Sequence, residues 1–153
     1  MPELRRITGA ATVRLFAAPA VLDALEPPDD GVGQGRVAPD EVLWLSDAGR
    51  AAELVAAAEK AVTADANALV VDHSAGYAVF ALTGDGAREA FCRVSSIRLP
   101  ESGFRQGKVA QVPGRLFVRP DRIDLVCGAD VAWFVHHRLL EAGRGAGLVE
   151  GEA

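Results

Sequence analysis

Short apolar runs and helically spaced apolar positions alternate along the chain, which predicts a mixture of strands and helices. Runs of three to seven residues bounded by turn residues predict strands over residues 41–45, 68–72, 77–83, 108–112, 116–118 and 123–127. Residues 13–16 fit either a short strand or the start of a helix. Pro113-Gly114 and Pro120-Asp121 are predicted to turn the chain between the last three strands.

Apolar residues at helical spacing predict helices over residues 48–62, 87–94 and 131–142. Acidic or hydroxyl residues precede each helix, and we expect Ser46 or Asp47, Asp85 and Asp130 to cap them. Gly143 is predicted to end the last helix. Phe91 is the largest residue on the predicted inner face of the second helix, so we expect it in the core.

A strand, a turn with an aspartate and a helix follow one another three times, and strand pairs lie between these units. This pattern predicts an α+β fold with a mainly antiparallel sheet and helices packed on it. The length predicts a single domain over residues 1–153. Pro, Gly and Asp crowd a loop at about 26–40, and a Gly-rich, flexible tail is predicted at about 144–153.

Charge is unevenly distributed along the chain. Residues 88–122 hold eight basic and three acidic side chains, net +5, whereas the whole chain has a net charge of -5. This basic segment is compatible with nucleic acid, an acidic ligand, an acidic protein or simply solvated strand edges. Nucleic acid is the least supported, because no recognised nucleic-acid-binding motif accompanies the arginines, and we predict no nucleic acid partner.

No apolar run is long enough for a bilayer, and no signal peptide is evident, so we predict no membrane association. The chain has only two cysteines, Cys92 and Cys127. Two cysteines do not form a disulfide framework, and reduced thiols are usual in the cytosol. The sequence therefore predicts a cytoplasmic protein.

Candidate chemistry is sparse. His73, the two cysteines, His136 and His137 lack zinc-ligand spacing, so no metal site is predicted. Cys92 lies near Arg88 and Arg93 but has no base beside it, and Asp72 is best explained as a turn former. No catalytic residue is predicted, the cofactor-binding residues are unknown, and we expect no cofactor on this chain.

The last predicted helix has two apolar faces. Val131, Phe134, Val135 and Leu139 form one face, while Trp133 and Leu140 lie opposite with His136 and His137 beside them. A second layer of the same domain, such as residues 13–25, would cover this second face, or it would bind another protein. Trp133, His137 and Leu140 are therefore the candidate partner surface.

Three stretches of the sequence carry a family resemblance: DHSAGYAVFALTG at 72–84 with Ala87 and Arg88 opening the next helix, the loop at 99–107, and PGRLFVRPDRIDLVCGADVAWFVHHRLLEA at 113–142. Together they resemble the gamma subunit of heterotetrameric sarcosine oxidase. That subunit is similar to the N-terminal part of the folate-binding glycine-cleavage T-protein. The resemblance implies other protein subunits as partners, including a flavin oxidase, with flavin and tetrahydrofolate on those subunits.

Three functions are compatible with these observations. The chain is predicted to be a non-catalytic subunit of a sarcosine-oxidase-like or related folate-linked demethylating complex, itself an oxidoreductase. The alternatives are a folate-binding or methyl-transferring domain of T-protein type, and an interaction domain with no folate link. Assembly as a homo-oligomer is compatible with each of them.

Overall fold

The structure is a computed structural model that describes residues 1–152. In chain order its strands are β1 Glu3–Arg6, β2 Ala11–Phe16, β3 Gly33–Ala38, β4 Glu41–Ser46, β5 Leu69–Asp72, β6 Tyr77–Thr83, β7 Gly103–Val109, β8 Val112–Arg119, β9 Arg122–Gly128 and β10 Val149–Glu150. Its α-helices are α1 Pro19–Asp23, α2 Ala51–Ala61, α3 Ala87–Cys92 and α4 Ala132–Gly143, with short 3-10 turns at Ala129–Val131 and Arg144–Ala146.

The chain divides into two compact units. The smaller unit is Gly9–Ala75, and the larger one combines Met1–Thr8 with the chain from Gly76 onward. The single-domain prediction for residues 1–153 did not specify this division and stays a prediction.

The smaller unit contains a four-stranded antiparallel sheet in the order β3-β4-β2-β5. Alternate residues of β2 and β4 point into its core, where α2 contributes Leu54 and Ala58. Trp44 is fully buried there, and its indole N–H donates to Gln34 Oε1 at 2.9 Å. That hydrogen bond satisfies the polar group that would otherwise make burial of a tryptophan costly. Residues 13–16, ambiguous in sequence, belong to strand β2.

The segment predicted as a loop at 26–40 contains strand β3, which pairs with β4 and has an irregularity between Arg36 and Ala38. Gly33 and Gly35 occupy strand positions without a side chain, so apolar alternation is lost and the strand has no sequence signal. The loop before it is tied down by Arg50, whose guanidinium donates to Asp29 at 2.6 Å and to Glu53 at 2.8 Å. The hydrogen bond from Arg50, together with one from the Gly31 backbone N–H, holds the pKa of Asp29 below its usual value.

The larger unit contains a six-stranded sheet in the order β10-β1-β6-β9-β8-β7. Only β1 and β10 pair in parallel, and every other pair is antiparallel. One face of this sheet and helices α3 and α4 share a single core that includes Phe80, Leu125, Phe91 and Leu139. The predicted α+β class, with a mainly antiparallel sheet and helices packed on it, is confirmed.

The predicted helix caps are wrong. Helices α2, α3 and α4 follow Arg50, Gly86 and Val131, and none of these positions makes a side-chain capping bond. At α3 the reason is the backbone: Gly84 and Gly86 have φ of 88° and 90°. This left-handed geometry suits glycine, and it places a residue without a side chain where Asp85 was expected to cap.

The predicted turn at Pro113-Gly114 is also wrong, because both residues lie inside β8. The β7–β8 hairpin turns instead at Ala110 and Gln111, which have φ of 49° and 71°. Gly114 serves packing: a Cβ there would lie 2.9 Å from both Leu125 Cδ1 and Val109 Cγ2. The turn predicted at Pro120-Asp121 does connect β8 to β9.

The segment predicted as a flexible tail carries strand β10, which pairs with β1. Gly143 is the last residue of α4 rather than a cap beyond it, and the left-handed glycine is Gly147 with φ of 79°. Leu148 then enters the core of the larger unit and is 5% exposed. A single apolar residue among glycines is too weak a pattern to predict this anchoring.

Candidate partner-binding surface

Helix α4 packs on the larger unit through Ala132, Val135, Leu139 and Gly143, all of which are buried. These positions recur at three- and four-residue spacing, so they form one stripe along the helix. The structure thus confirms Val135 and Leu139 as inner-face residues. The predicted Val131 and Phe134 are only partly buried, and they pack at the margin of the same core.

Trp133, His137 and Leu140 follow one another at positions i, i+4 and i+7, so they lie along one line of α4. We call these three residues the outer stripe. Trp133 is 74% exposed and His137 is exposed, whereas Leu140 is half-buried and packs against the core of the larger unit. The structure therefore brings the three predicted residues together but leaves only two of them largely open to solvent.

Trp133 is the largest exposed side chain among residues 1–152. Its ring meets Phe134 edge-on, with centroids 6.1 Å apart. The alternative in which another layer of the same domain covers Trp133 is wrong, because a covered tryptophan would not be 74% exposed. A tryptophan held on a rigid helix and open to water is the type of residue that dominates protein interfaces.

His136, next to His137 in sequence, packs against other residues of the larger unit. Its ring stacks on Phe80 at 5.6 Å with an interplanar angle of 15°, and its Nε2 lies 3.2 Å from Glu150 Oε1. The two histidines thus diverge, as their adjacency on a helix requires. Among residues 1–152, no group of three or more His, Cys, Asp or Glu side chains is arranged to hold a metal ion.

The two cysteines have different surroundings. Cys127 is buried, and burial raises the pKa of its thiol to about 11. Cys92 is exposed, but both neighbouring cations have other partners: Arg93 donates to Glu89 at 3.0 Å, and Arg88 donates to the Pro100 carbonyl at 2.8 Å. The two arginines near Cys92 in sequence therefore bind other groups of the fold.

Asp72 forms the turn between β5 and β6 that the sequence predicted. Its carboxylate accepts hydrogen bonds from the Ser74 backbone N–H at 3.0 Å and from Ser74 Oγ at 2.6 Å. Both bonds favour the ionised form and hold the pKa of Asp72 below its usual value.

In the part of the chain that the structure describes, no helix is long and apolar enough to cross a bilayer.

Comparison with known proteins shows what the fold is similar to. No family model and no curated protein sequence matches the chain. Among solved structures, heterotetrameric sarcosine oxidase from Corynebacterium sp. U-96, in complex with pyrrole 2-carboxylate, matches with a TM-score of 0.77 and 18% identity. This match covers 97% of this chain and 87% of the matched chain.

Two further structures share the fold. The glycine cleavage system aminomethyltransferase T from Bartonella henselae matches with a TM-score of 0.69 and 15% identity, over 97% of this chain but 47% of that one. The present chain thus spans about half of the aminomethyltransferase. The regulatory subunit of aspartate kinase from Thermus thermophilus matches at a TM-score of 0.52 and 16% identity, over 91% of this chain and 96% of that one.

Proposed function

We propose that this chain is a non-catalytic, cytoplasmic subunit of a sarcosine-oxidase-like or related folate-linked demethylating complex. The observation that carries the proposal is the match, over nearly the full length of both chains, with one chain of a heterotetrameric sarcosine oxidase. A full-length match to a chain that works within an assembly favours a subunit role. A gamma-subunit role in particular rests on the resemblance of residues 72–84 and 113–142.

The outer stripe supports binding to another subunit. Trp133 offers a large apolar surface on a helix whose other side is already fixed to the core, so it needs no rearrangement to bind. Burial of such a side chain gains about 1.5–3 kcal/mol. The half-buried Leu140 would extend the contact along the helix, and the exposed His137 would lie between them.

In this proposal flavin and tetrahydrofolate belong to partner subunits, and this chain contributes no catalytic residue. The partner that we expect is a flavin oxidase subunit. Its identity and the stoichiometry of the complex are to be determined by experiment.

The test is purification of the tagged chain from its source cells at native expression, with absorbance followed across the elution. We expect a flavin spectrum that co-elutes with the chain and oxygen uptake that depends on an N-methyl amino acid. The variant Trp133→Ala should lose the flavin-containing partner while the chain itself is recovered in normal amount. A chain that elutes alone, or with proteins that contain no flavin, would refute the proposal.

The T-protein-type alternative makes a different prediction, because the folate would then bind to this chain. Titration of the purified chain with tetrahydrofolate, followed by calorimetry, separates the two. Stoichiometric binding to the isolated chain favours the folate-binding alternative, whereas binding only after the flavin subunit is added favours the subunit role. If the chain instead purified with a partner that contains neither flavin nor folate, the result would favour the third function, an interaction domain with no folate link.

A further inference from the structure

The structure separates the eight basic residues of the segment 88–122 into two groups. Four of them are engaged within the larger unit: Arg93 pairs with Glu89, Arg88 donates to backbone carbonyls, and Arg119 and Arg122 both bind Asp124. Asp124 is 3% exposed, so those two arginines neutralise a buried carboxylate. These four cations stabilise the larger unit through ion pairs and hydrogen bonds, so they do not form a positive surface that is available to a partner.

The other four cations are Arg98, Arg105, Lys108 and Arg115. Within residues 1–152 none of them has an ion pair with a carboxylate. Arg105 only donates to the carbonyl of its neighbour Phe104, at 2.7 Å. The side chains of Arg98, Arg105 and Lys108 are exposed. Four unpaired cations within eighteen residues are a local charge excess, since Glu101 is the only acidic residue between positions 95 and 118.

Three of these four residues lie on the β7–β8 hairpin, and Arg98 lies in the segment just before it. Arg105 and Lys108 are on β7, which is the outermost strand of the six-stranded sheet, and Arg115 is on β8, directly opposite Gln106. The segment before β7 lies along the same strand: Ser95 Oγ donates to the Lys108 carbonyl at 2.7 Å, and Ile97 packs against Gly107. Arg98 follows Ile97 directly. Arg105 pairs with the buried core residue Leu116, so it lies on the face of the sheet that packs on α3 and α4, whereas Lys108 and Arg115 lie on the other face. The cations therefore flank the edge of the sheet on both sides, and we call these four cations the basic hairpin surface.

The hairpin also has a depression of about 310 Å³, lined by Gln106, Gly107, Lys108, Pro113, Gly114 and Arg115. Arg115 is half-buried, and its guanidinium lies over the Tyr77 ring at 5.6 Å. Its Nε is buried without a hydrogen-bond partner among the described residues. Because Nε is closed to solvent, an incoming acceptor would bond the terminal N–H groups of the Arg115 guanidinium instead.

We propose that the basic hairpin surface binds an acidic segment of a partner protein, which lies at the edge of the sheet so that its carboxylates reach Arg98, Arg105, Lys108 and Arg115 from both faces. Charge complementarity is the basis of this choice: a positive surface at the edge of a sheet recruits an acidic partner and orients it. This surface is separate in sequence and in secondary structure from the outer stripe of α4. The inference does not depend on the proposed oxidase complex.

A protein segment fits this surface better than a nucleic acid does. The chain as a whole has a net charge of -5, and the segment 88–122 carries the excess of positive charge, net +5. A nucleic acid carries regularly spaced phosphates and gains affinity from contacts over a long basic track, which the acidic remainder of this chain would oppose. A short acidic segment meets only the hairpin.

The experiment uses the full chain and a fluorescein-labelled decaglutamate peptide, with fluorescence anisotropy as the readout. A decaglutamine peptide and an oligothymidylate of matched charge serve as comparison probes. We expect binding of the glutamate peptide that weakens when salt is raised from about 50 to about 200 mM, since exposed charges are screened over this range. The glutamine peptide should not bind.

Two variants with equal charge loss locate the binding. The hairpin variant combines Arg98→Gln, Arg105→Gln and Lys108→Gln, and the control combines Arg5→Gln, Lys60→Gln and Arg138→Gln, three exposed cations elsewhere. We expect the hairpin variant to bind the glutamate peptide at least about fivefold more weakly and the control to change less than about twofold. The charge-preserving pair Arg98→Lys and Arg105→Lys should bind nearly as well as the wild type, which guards against a folding effect.

Four results would overturn the proposal. Equal weakening in the hairpin variant and the control would show that only net charge matters, and absence of binding would exclude an acidic peptide ligand. Tighter binding of the oligothymidylate would assign the surface to nucleic acid. Self-association of the chain that the hairpin variant abolishes, measured by light scattering, would assign the surface to a second copy.

Discussion

Phe91 is fully buried in the core that α3 and α4 share with the six-stranded sheet. We predict that Phe91→Ala lowers the free energy of unfolding by about 3–5 kcal/mol, because truncation removes a large apolar side chain and leaves a cavity. Denaturant melts of the two proteins measure the difference. Phe104→Ala is the control, since Phe104 is only half-buried on β7 and should cost clearly less. A loss below about 1 kcal/mol for Phe91 would contradict its placement.

Trp133 should behave in the opposite way. Because it is 74% exposed, we predict that Trp133→Ala changes the melt of the isolated chain by less than about 0.5 kcal/mol while it weakens association with a partner. Val135→Ala, two residues further along the same helix and fully buried, is the control and should cost about 1–3 kcal/mol. If the two variants destabilised the chain equally, Trp133 would be a core residue and the outer stripe would be refuted.

Sequence predicted individual core residues well but predicted ion pairs poorly. Phe91, Val135 and Leu139 were expected inside, because helical periodicity depends only on neighbours within a few residues. The pairing of Arg119 and Arg122 with Asp124 was not expected, because it depends on the register of β8 against β9. A basic segment therefore looked uniform in sequence, and only the fold showed which of its cations are free.

The β7–β8 hairpin shows that the sequence also predicts a whole element incompletely when tertiary contacts set its register. Its strands were foreseen in part, yet its turn was placed at Pro113-Gly114, where those residue types usually turn a chain. The actual turn uses Ala110 and Gln111 with left-handed backbones, which neither residue type favours. The register that requires this turn is set by the core contacts of β8, and local turn preferences do not reveal it.

This turn gives a prediction about the hairpin. Gln111 is exposed with φ of 71°, so Gln111→Gly removes left-handed strain without a loss of packing. We predict a gain of about 0.5–1 kcal/mol in the free energy of unfolding, after allowance for the greater freedom of glycine in the unfolded chain. Thermal or denaturant melts measure it. Gly107→Ala is the converse control, because a Cβ there would lie 3.0 Å from Ile97 Cγ1, and it should give no such gain.

For the molecule as a whole, we predict that the isolated chain carries no bound flavin, nucleotide or metal. The basis is the sequence, which has no phosphate-binding loop and no zinc-ligand spacing. The purified chain should show no visible absorbance and no stoichiometric metal by elemental analysis. A coloured protein, or one equivalent of zinc, would refute the prediction and show that this chain itself binds a cofactor or a metal.

The end of the chain contributes to the larger unit through Leu148 and β10. We predict that truncation after Ala146 lowers the free energy of unfolding by about 2–5 kcal/mol, the range for removal of a buried leucine. Truncation after Gly151 is the control, since it keeps Leu148, β10 and the bond from Gly151 N–H to the Leu4 carbonyl. Equal melts for the two truncated chains would mean that the segment from Gly147 onward contributes nothing to stability.

The pairing of β1 with β10 also has a consequence for the order of folding during synthesis. The ribosome makes β1 first and β10 last, and at about 5–20 residues per second the interval is about 7–30 s. The strands of the smaller unit, by contrast, are continuous in sequence and complete by Asp72. Throughout that interval β1 has no parallel neighbour on its outer side. Its exposed charges at Arg5 and Arg6 make it a poor template for strands of other nascent chains.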